Sequence, residues 1–70
     1  MAKRQQASRA ARDVTTAAAR VLGSYKAARA YMHTPNFALG GATPAKLVKT
    51  SEGERIVLNE LQAQADGGPL

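Results

Sequence analysis

Few residues of this 70-residue chain could do chemistry. His33 is the only histidine, and the chain has no cysteine. A zinc site needs several ligands that converge on the ion, and Glu52, Glu54 and Glu60 do not stand at ligand spacing around His33. No serine has a base at the spacing that an activated nucleophile requires. The sequence therefore predicts no catalytic residue, no metal and no cofactor, and it favours binding over catalysis.

The basic residues are the second chemical feature, and they are concentrated in one half of the chain. Residues 1–29 hold seven Lys and Arg against Asp13, a net charge of +6, whereas residues 30–70 carry −1. A polyanion or an acidic protein surface would prefer the first half. Five side chains there are candidates for contacts with nucleic-acid phosphates: Lys3, Arg4, Arg9, Arg12 and Arg20.

Two other interpretations of this basic segment stay open. It can be an ordinary solvated face of a helix, or it can contact an acidic patch on a protein partner. No aromatic residues alternate with the basic ones, which disfavours stacking on single-stranded bases. The same segment has no Trp, no Phe and no run of Leu, so insertion into a membrane is also disfavoured.

The middle of the chain is rich in residues that start and stop helices. Thr34 and Thr43 are predicted to cap helices, with Pro35 and Pro44 at the first helical positions, where a missing N–H costs nothing. Gly40 and Gly41 allow the chain to leave one short helix before the next begins. Asn36 suits a turn in which its side chain bonds the backbone two residues on. The structural motif is Thr34, Pro35, Asn36, Gly40, Gly41, Thr43, Pro44 and Gly53.

Apolar spacing predicts the helices between these signals. Ala10, Val14, Ala17 and Val21 recur every three or four residues, so a first helix is expected from about residue 8, after a frayed start, to a stop at Gly23. Ser24 would cap a second helix over residues 25 to about 33. A short helix or turn over 35–39 and a third helix over 44 to about 49 would follow.

The last helix is expected over residues 52 to about 65. Ser51 and Glu54 have the spacing of a capping box, and Thr50 is also a candidate cap. Ile56, Val57, Leu61 and Ala65 form the apolar stripe. No alternating strand pattern is present, so the fold class is all-α: a compact bundle of four to five short helices with a flexible C-terminal tail.

Two further expectations concern assembly and location. The alanine-rich face of the first helix buries little area, so this helix could pack against a second copy of itself as well as on its own bundle. No apolar run approaches the length of a membrane span. The lack of cysteine fits a reducing compartment, so a cytoplasmic protein with no membrane partner is expected.

An ordered set of residues connects this chain with a known family. The set begins with Val21-Leu22-Gly23 and Ala28, continues with Tyr31-Met32-His33-Thr34-Pro35-Asn36 and Ala38-Leu39-Gly40-Gly41, and ends with Thr43-Pro44, Leu47, Thr50, Glu52-Gly53, Val57 and Leu61. Over residues 18–67 the sequence resembles the toxin-binding domain of the MbcA/ParS/Xre-type antitoxins, the partners of RES-domain toxins. On this basis residues 1–17 form a basic helical extension and residues 18–70 form the toxin-binding helical domain.

The resemblance implies an antitoxin of a type II toxin–antitoxin system. Such proteins bind a RES toxin, which is similar to ADP-ribosyltransferases and degrades NAD, and they occlude its active site partly with their C-terminal end. The residues expected to contact the toxin are Glu60, Gln62, Gln64, Asp66, Gly67, Gly68 and Leu70. A tail without any role is the alternative to a tail that plugs the pocket.

The chain departs from the family pattern at three places. Tyr31-Met32 stands where Trp-Leu is usual, and the tail lacks the usual aromatic residue before a glycine. Only about 20 residues precede the matching part, too few for the helix-turn-helix domain that many members use to repress their operon. The alternative function is a small DNA- or RNA-binding regulatory protein that uses its basic N-terminal helix.

Overall fold

The computed structural model describes the backbone of residues 2–67 and the side chains of residues 9–67. Within these residues the chain forms α1 (Ala2–Leu22), α2 (Tyr25–Met32), a 3-10 turn (Phe37–Leu39), α3 (Pro44–Leu47) and α4 (Ser51–Gly67). No strand occurs between residues 2 and 67. The all-α class and the bundle of short helices are confirmed, while the tail expected beyond Gly67 lies outside the described residues.

Two residues make the bend between α1 and α2, as the sequence predicts. Gly23 has a φ of 99°, a left-handed conformation that side chains rarely adopt, and its N–H bonds the carbonyl of Ala19. Ser24 then accepts a hydrogen bond from the N–H of Ala27 at 3.0 Å and caps α2. The stop and the cap at this bend are both confirmed.

The second Thr-Pro pair also acts as predicted. The Thr43 hydroxyl accepts a hydrogen bond from the N–H of Lys46 at 3.3 Å, and Pro44 occupies the first turn of α3. Gly40 and Gly41 have φ values of 72° and 87°, so both glycines provide the left-handed backbone that connects the 3-10 turn to α3. The helix itself is a single turn that ends at Leu47, two residues earlier than expected.

The first Thr-Pro pair corrects the prediction. Thr34 caps no helix: its hydroxyl donates to the carbonyl of Ala30 at 2.6 Å and so satisfies the end of α2. Pro35 lies outside any helix. Asn36 is the cap of the 3-10 turn, because its Oδ1 accepts from the N–H of Ala38 at 2.9 Å. The prediction for the asparagine is confirmed, and the prediction for Thr34 and Pro35 is wrong.

Two helix starts also differ from the expectation. The cap of α4 is Thr50, whose Oγ1 accepts from the N–H of Gly53 at 2.9 Å. Ser51 is already the first residue of the helix, so the capping box predicted for Ser51 and Glu54 is wrong by one position. At the other end of the chain, α1 begins at Ala2 and not near residue 8.

The core lies where α1 meets α2 and α4. Its buried side chains come from α1, α2, α4 and the residue after α3: Val14, Ala18, Ala28, Met32, Val48, Val57 and Leu61. The alanine-rich stripe of α1 is therefore covered by its own chain, with Ala10, Ala11, Ala17 and Val21 partly buried against this core. From the predicted stripe of α4, Ile56 and Ala65 are exposed, so only Val57 and Leu61 face inward.

Gly53 marks the closest approach of two backbone segments. A Cβ at this position would stand 1.8 Å from the carbonyl oxygen of Leu47 and 3.1 Å from the Thr50 hydroxyl. Only a residue without a side chain lets the first turn of α4 lie this close to α3. The glycine therefore fixes the direction in which α4 leaves α3 and crosses the core.

Candidate functional site

The C-terminal end of α4 projects from the bundle. Leu61 is the last buried residue of this helix, and every residue from 62 to 67 is exposed. Buried side chains recur on one face of α4 as far as Leu61, so nearly two turns of helix beyond it have no face against the core. This end carries most of the residues that the sequence singled out for contact with a toxin.

The structure brings two of these residues into direct contact. The Gln62 side chain donates its Nε2 to both carboxylate oxygens of Asp66, at 3.1 and 3.0 Å. The pair is spaced i, i+4, the separation at which side chains meet on a helix surface. Gln62 and Asp66 therefore form one polar site on the projecting end.

Glu60 and Gln64 lie on a different side of α4. A helix turns about 100° per residue. Gln62 is therefore about 200° around the helix from both Glu60 and Gln64, which places those two residues nearly on the opposite side. Glu60 is half-buried and Gln64 is exposed. Gly67 is the last helical residue, and Gly68 and Leu70 lie outside the described residues. The described residues among the predicted contacts therefore lie on different sides of the helix and do not form one flat patch.

Tyr31 of α2 lies near the base of this projecting end. Burial, with a smaller contribution from the Glu60 carboxylate, raises the pKa of the Tyr31 hydroxyl above its ordinary value. The hydroxyl oxygen is buried and has no hydrogen-bond partner among the residues whose side chains are described. Burial of the hydroxyl and the nearby Glu60 carboxylate both oppose ionisation of this tyrosine.

Phe37 is the residue that sequence reasoning missed. It is the only phenylalanine of the chain and the first residue of the 3-10 turn, and its side chain is 99% exposed. The sequence held one signal for its exposure. The residue follows a turn-forming asparagine, lies between segments that contain proline and glycine, and belongs to no apolar stripe. No periodic pattern provides a buried place for it.

The basic residues of α1 lie on its solvent face. Arg9, Arg12 and Arg20 are exposed, and at 100° per residue they fall within about 80° of one another on the helix. Thr16, between Arg12 and Arg20 in this row, has its hydroxyl 3.4 Å from that of Tyr25. The side chains of Lys3 and Arg4 lie outside the described part. The structure thus brings together three of the five candidate phosphate contacts.

Neither a cluster of metal ligands nor a helix that could cross a membrane occurs among the described residues. No three His, Asp or Glu side chains between residues 9 and 67 come together as ligands of one ion. Among the helices described here, none has the length and apolar character that crossing a membrane demands. What these residues present is a small helical module with an exposed helix end, an exposed aromatic side chain and a basic face.

The comparison with protein families identifies the kind of binding. Residues 17–67 match the model of the antitoxin Xre/MbcA/ParS C-terminal toxin-binding domain. The match covers most of the chain, so the protein belongs to this family and carries a toxin-binding antitoxin domain. The family expected from the sequence is confirmed. The comparison with curated proteins found no match, and neither did the comparison with solved structures.

Proposed function

We propose that this chain is an antitoxin that neutralises an NAD-degrading RES-type toxin by blocking access to its active site. The observation that carries the proposal is the match of residues 17–67 to a toxin-binding domain, together with a helix end that projects from that domain. Inhibition would be steric: the helical bundle would dock beside the active-site cleft of the toxin, and the end of α4 would occupy the site where NAD binds. The encounter would take place in the cytoplasm.

The shape of α4 supports this proposal. A segment that enters a cleft must be accessible, and residues 62–67 are all exposed. Gln62 and Asp66 offer polar atoms on one side of the segment, and Gln64 offers an amide on another. Hydrogen bonds of this kind fix orientation in a pocket, while the small side chains of Ala63, Ala65 and Gly67 let the segment fit a narrow space.

The proposal divides the chain into two functional parts. Residues 18–70 are the toxin-binding part, and residues 1–17 are a basic extension that belongs to the same continuous helix α1. Because residues 30–70 carry a net charge of −1 and residues 1–29 carry +6, the two parts suit partners of different charge. The toxin would contact the near-neutral part, with the extension left available.

Removal of the projecting end tests the steric mechanism. A variant that stops after Leu61 keeps every described core residue and loses residues 62–70. The assay measures NAD hydrolysis by a RES-domain toxin encoded beside this chain. We expect the wild type to inhibit this hydrolysis, and a high concentration of NAD to relieve the inhibition. The truncated variant should still bind the toxin and should inhibit at least about tenfold less, a change of about 1.4 kcal/mol.

A deletion at the opposite terminus is the matched control. Removal of residues 2–8 shortens α1 by a similar length, and we expect it to leave inhibition within about twofold of the wild type. If the variant without residues 62–70 inhibits as well as the wild type, the end of α4 is not the blocking element. If the wild type neither binds the RES toxin nor rescues growth on co-expression, the proposed function is wrong.

A second candidate function follows from the exposed basic face of α1. Arg9, Arg12 and Arg20 share one side of this helix and are free to contact phosphates, so nucleic-acid binding by the extension is the alternative. Three phosphate contacts on duplex DNA would add about 2.7 to the slope of log affinity against log salt, at about 0.9 for each. The affinity would then fall steeply between low and moderate salt.

The chain offers a matched pair of variants for this alternative. One variant changes Arg9, Arg12 and Arg20 to Gln, and the other changes Lys46, Lys49 and Arg55 to Gln, so each removes three positive charges. Loss of binding to a duplex DNA only in the first variant supports the basic face. An equal loss of DNA binding in both variants would show that only the net charge matters. If the wild type does not bind DNA at low salt, nucleic-acid binding by the extension is excluded.

A further inference from the structure

The turn that carries Phe37 holds this side chain out into solvent on a fixed backbone. Single exposed apolar residues are common on proteins and need no explanation. Phe37 differs because 99% of the side chain is exposed, whereas Tyr25, Ile56 and Leu58, the other large exposed side chains, each keep about half or more of their surface covered. The fold therefore gives Phe37 no contact that would explain a phenylalanine at this position.

Backbone hydrogen bonds make the turn rigid. The N–H of Asn36 bonds the carbonyl of Ala42 at 3.0 Å, and the carbonyl of Asn36 accepts from the N–H groups of Leu39 and Gly41 at 2.9 and 2.8 Å. The carbonyl of Phe37 accepts from the N–H of Gly40 at 3.1 Å. A side chain presented on such a closed loop has little backbone freedom left to lose on binding, which favours affinity.

The segment of the chain that carries Phe37 has no charged residue. The chain contains 15 Lys, Arg, Asp and Glu residues, yet none of them falls between residues 30 and 45. Depletion of charge around an aromatic residue is the composition of the centre of a protein–protein interface. The same composition argues against a nucleic acid here, because phosphate contacts need positive side chains.

We propose that Phe37 is an anchor residue that inserts into an apolar pocket of the toxin, which makes the 3-10 turn a second contact besides the end of α4. The inference rests on the proposed function. It names a surface that contributes to affinity whether or not the helix end reaches the active site. The turn packs against α4, the helix whose end forms the other proposed contact.

A second copy of the chain fits this surface poorly. An aromatic side chain buries about 150–250 Å², whereas a specific dimer buries about 1,200 Å² or more in total. The neighbours of Phe37 on the exposed part of the turn are Ala38, Gly40 and Gly41, which are too small to supply the remaining area. In a complex with a toxin, by contrast, Phe37 would be one anchor within a wider interface.

The test is the affinity of the Phe37→Ala variant for the RES-domain toxin, measured by calorimetry beside the wild type. Truncation of an anchor residue should weaken binding by about 30-fold or more, the measure of an interface hot spot. Tyr25→Ala is the matched control, because Tyr25 is also an exposed aromatic residue and lies on α2. We expect its affinity to stay within about threefold of the wild type.

Each outcome has a distinct meaning. A wild-type affinity in Phe37→Ala, with the wild type itself binding the toxin, overturns the anchor and leaves the proposed function standing. An equal loss in Tyr25→Ala overturns it as well, because the loss is then not specific to the turn. Sedimentation that shows a dimer dissolved by Phe37→Ala assigns the surface to a second copy and refutes the inference. No binding by the wild type refutes the inference and the proposed function together.

Discussion

Replacement of Gly53 by alanine tests the tightest contact of the fold. The added Cβ would stand 1.8 Å from the carbonyl oxygen of Leu47, and real Cβ atoms essentially never come closer than 3.0 Å to such an atom. The backbone of α3 or α4 must therefore move by at least 1.2 Å, the difference between those two distances. Because the obstacle is backbone and not the end of a flexible side chain, no rotamer change removes the clash.

The cost of this change can be worked from three contributions. Overpacking costs about 1–3 kcal/mol, and the upper end applies where backbone must shift. Displacement of the first turn of α4 also loosens the bond from the Gly53 N–H to the Thr50 hydroxyl, a cap of about 1 kcal/mol. The better helix propensity of alanine offsets about 1 kcal/mol. We expect a net destabilisation of about 3 kcal/mol.

Thermal unfolding followed by circular dichroism measures this effect. For a domain of this size each kcal/mol lowers Tm by about 4–8 °C, so Gly53→Ala should melt about 12–24 °C below the wild type. Gly67→Ala is the matched control, because Gly67 is also helical and nothing lies within 4 Å of its would-be Cβ. Its Tm should be unchanged or slightly higher. A Tm for Gly53→Ala within about 5 °C of the wild type would refute the close approach of α3 and α4.

Three other predictions test particular features. Thr50→Ala should lower the free energy of unfolding by about 1 kcal/mol, whereas Ser51→Ala should change it by less than about 0.5 kcal/mol. Urea titrations measure both values. A larger loss in Ser51→Ala than in Thr50→Ala would show that Ser51 is the cap. Leu61→Ala should cost about 2–5 kcal/mol and the half-exposed Ile56→Ala clearly less in the same titrations, because only Leu61 fills the core. The raised pKa of Tyr31 disfavours its ionised form in the folded state, so stability should be full below about pH 10 and should fall as the pH rises through the folded pKa. Tyr31→Phe should remove that alkaline loss and should not destabilise at pH 7, and a variant that keeps the alkaline loss would show that another group causes it.

The parts of the fold that the sequence predicted are those encoded by adjacent residues. At Gly23-Ser24 and Thr43-Pro44 the two neighbouring residues set the local backbone, and the bends predicted there are confirmed. The phase of α1 was also predictable, because its regular spacing of small apolar residues leaves Val14 and Ala18 on the inside.

The missed features depend on contacts between residues that are several positions apart in the sequence. Thr34 and Asn36 both have the side chain of a helix cap, and the choice between them was made by the loop closure between Asn36 and Ala42. At α4 the choice of Thr50 over Ser51 follows from the contact of Gly53 with Leu47, which sets where the helix can start. Such pairings are not visible in a local pattern.

The candidate site was predictable in part. The sequence placed the polar residues on the last helix, and the structure adds that residues 62–67 are all exposed. The exposure of Phe37 could not be derived from the sequence, because an apolar side chain in a turn can either pack into the core or point into solvent. Only the packing of the 3-10 turn decides between the two.

The bare end of α4 also determines how firmly this element is held. Beyond Leu61 the helix is stabilised only by its own backbone bonds and the Gln62–Asp66 contact, and so short a stretch of helix is marginal in water. Residues 62–67 should therefore unwind and rewind many times while the rest of the bundle stays folded. An element of this kind gives up some affinity to the cost of becoming ordered, and in return it can adjust its course to the walls of whatever cavity receives it.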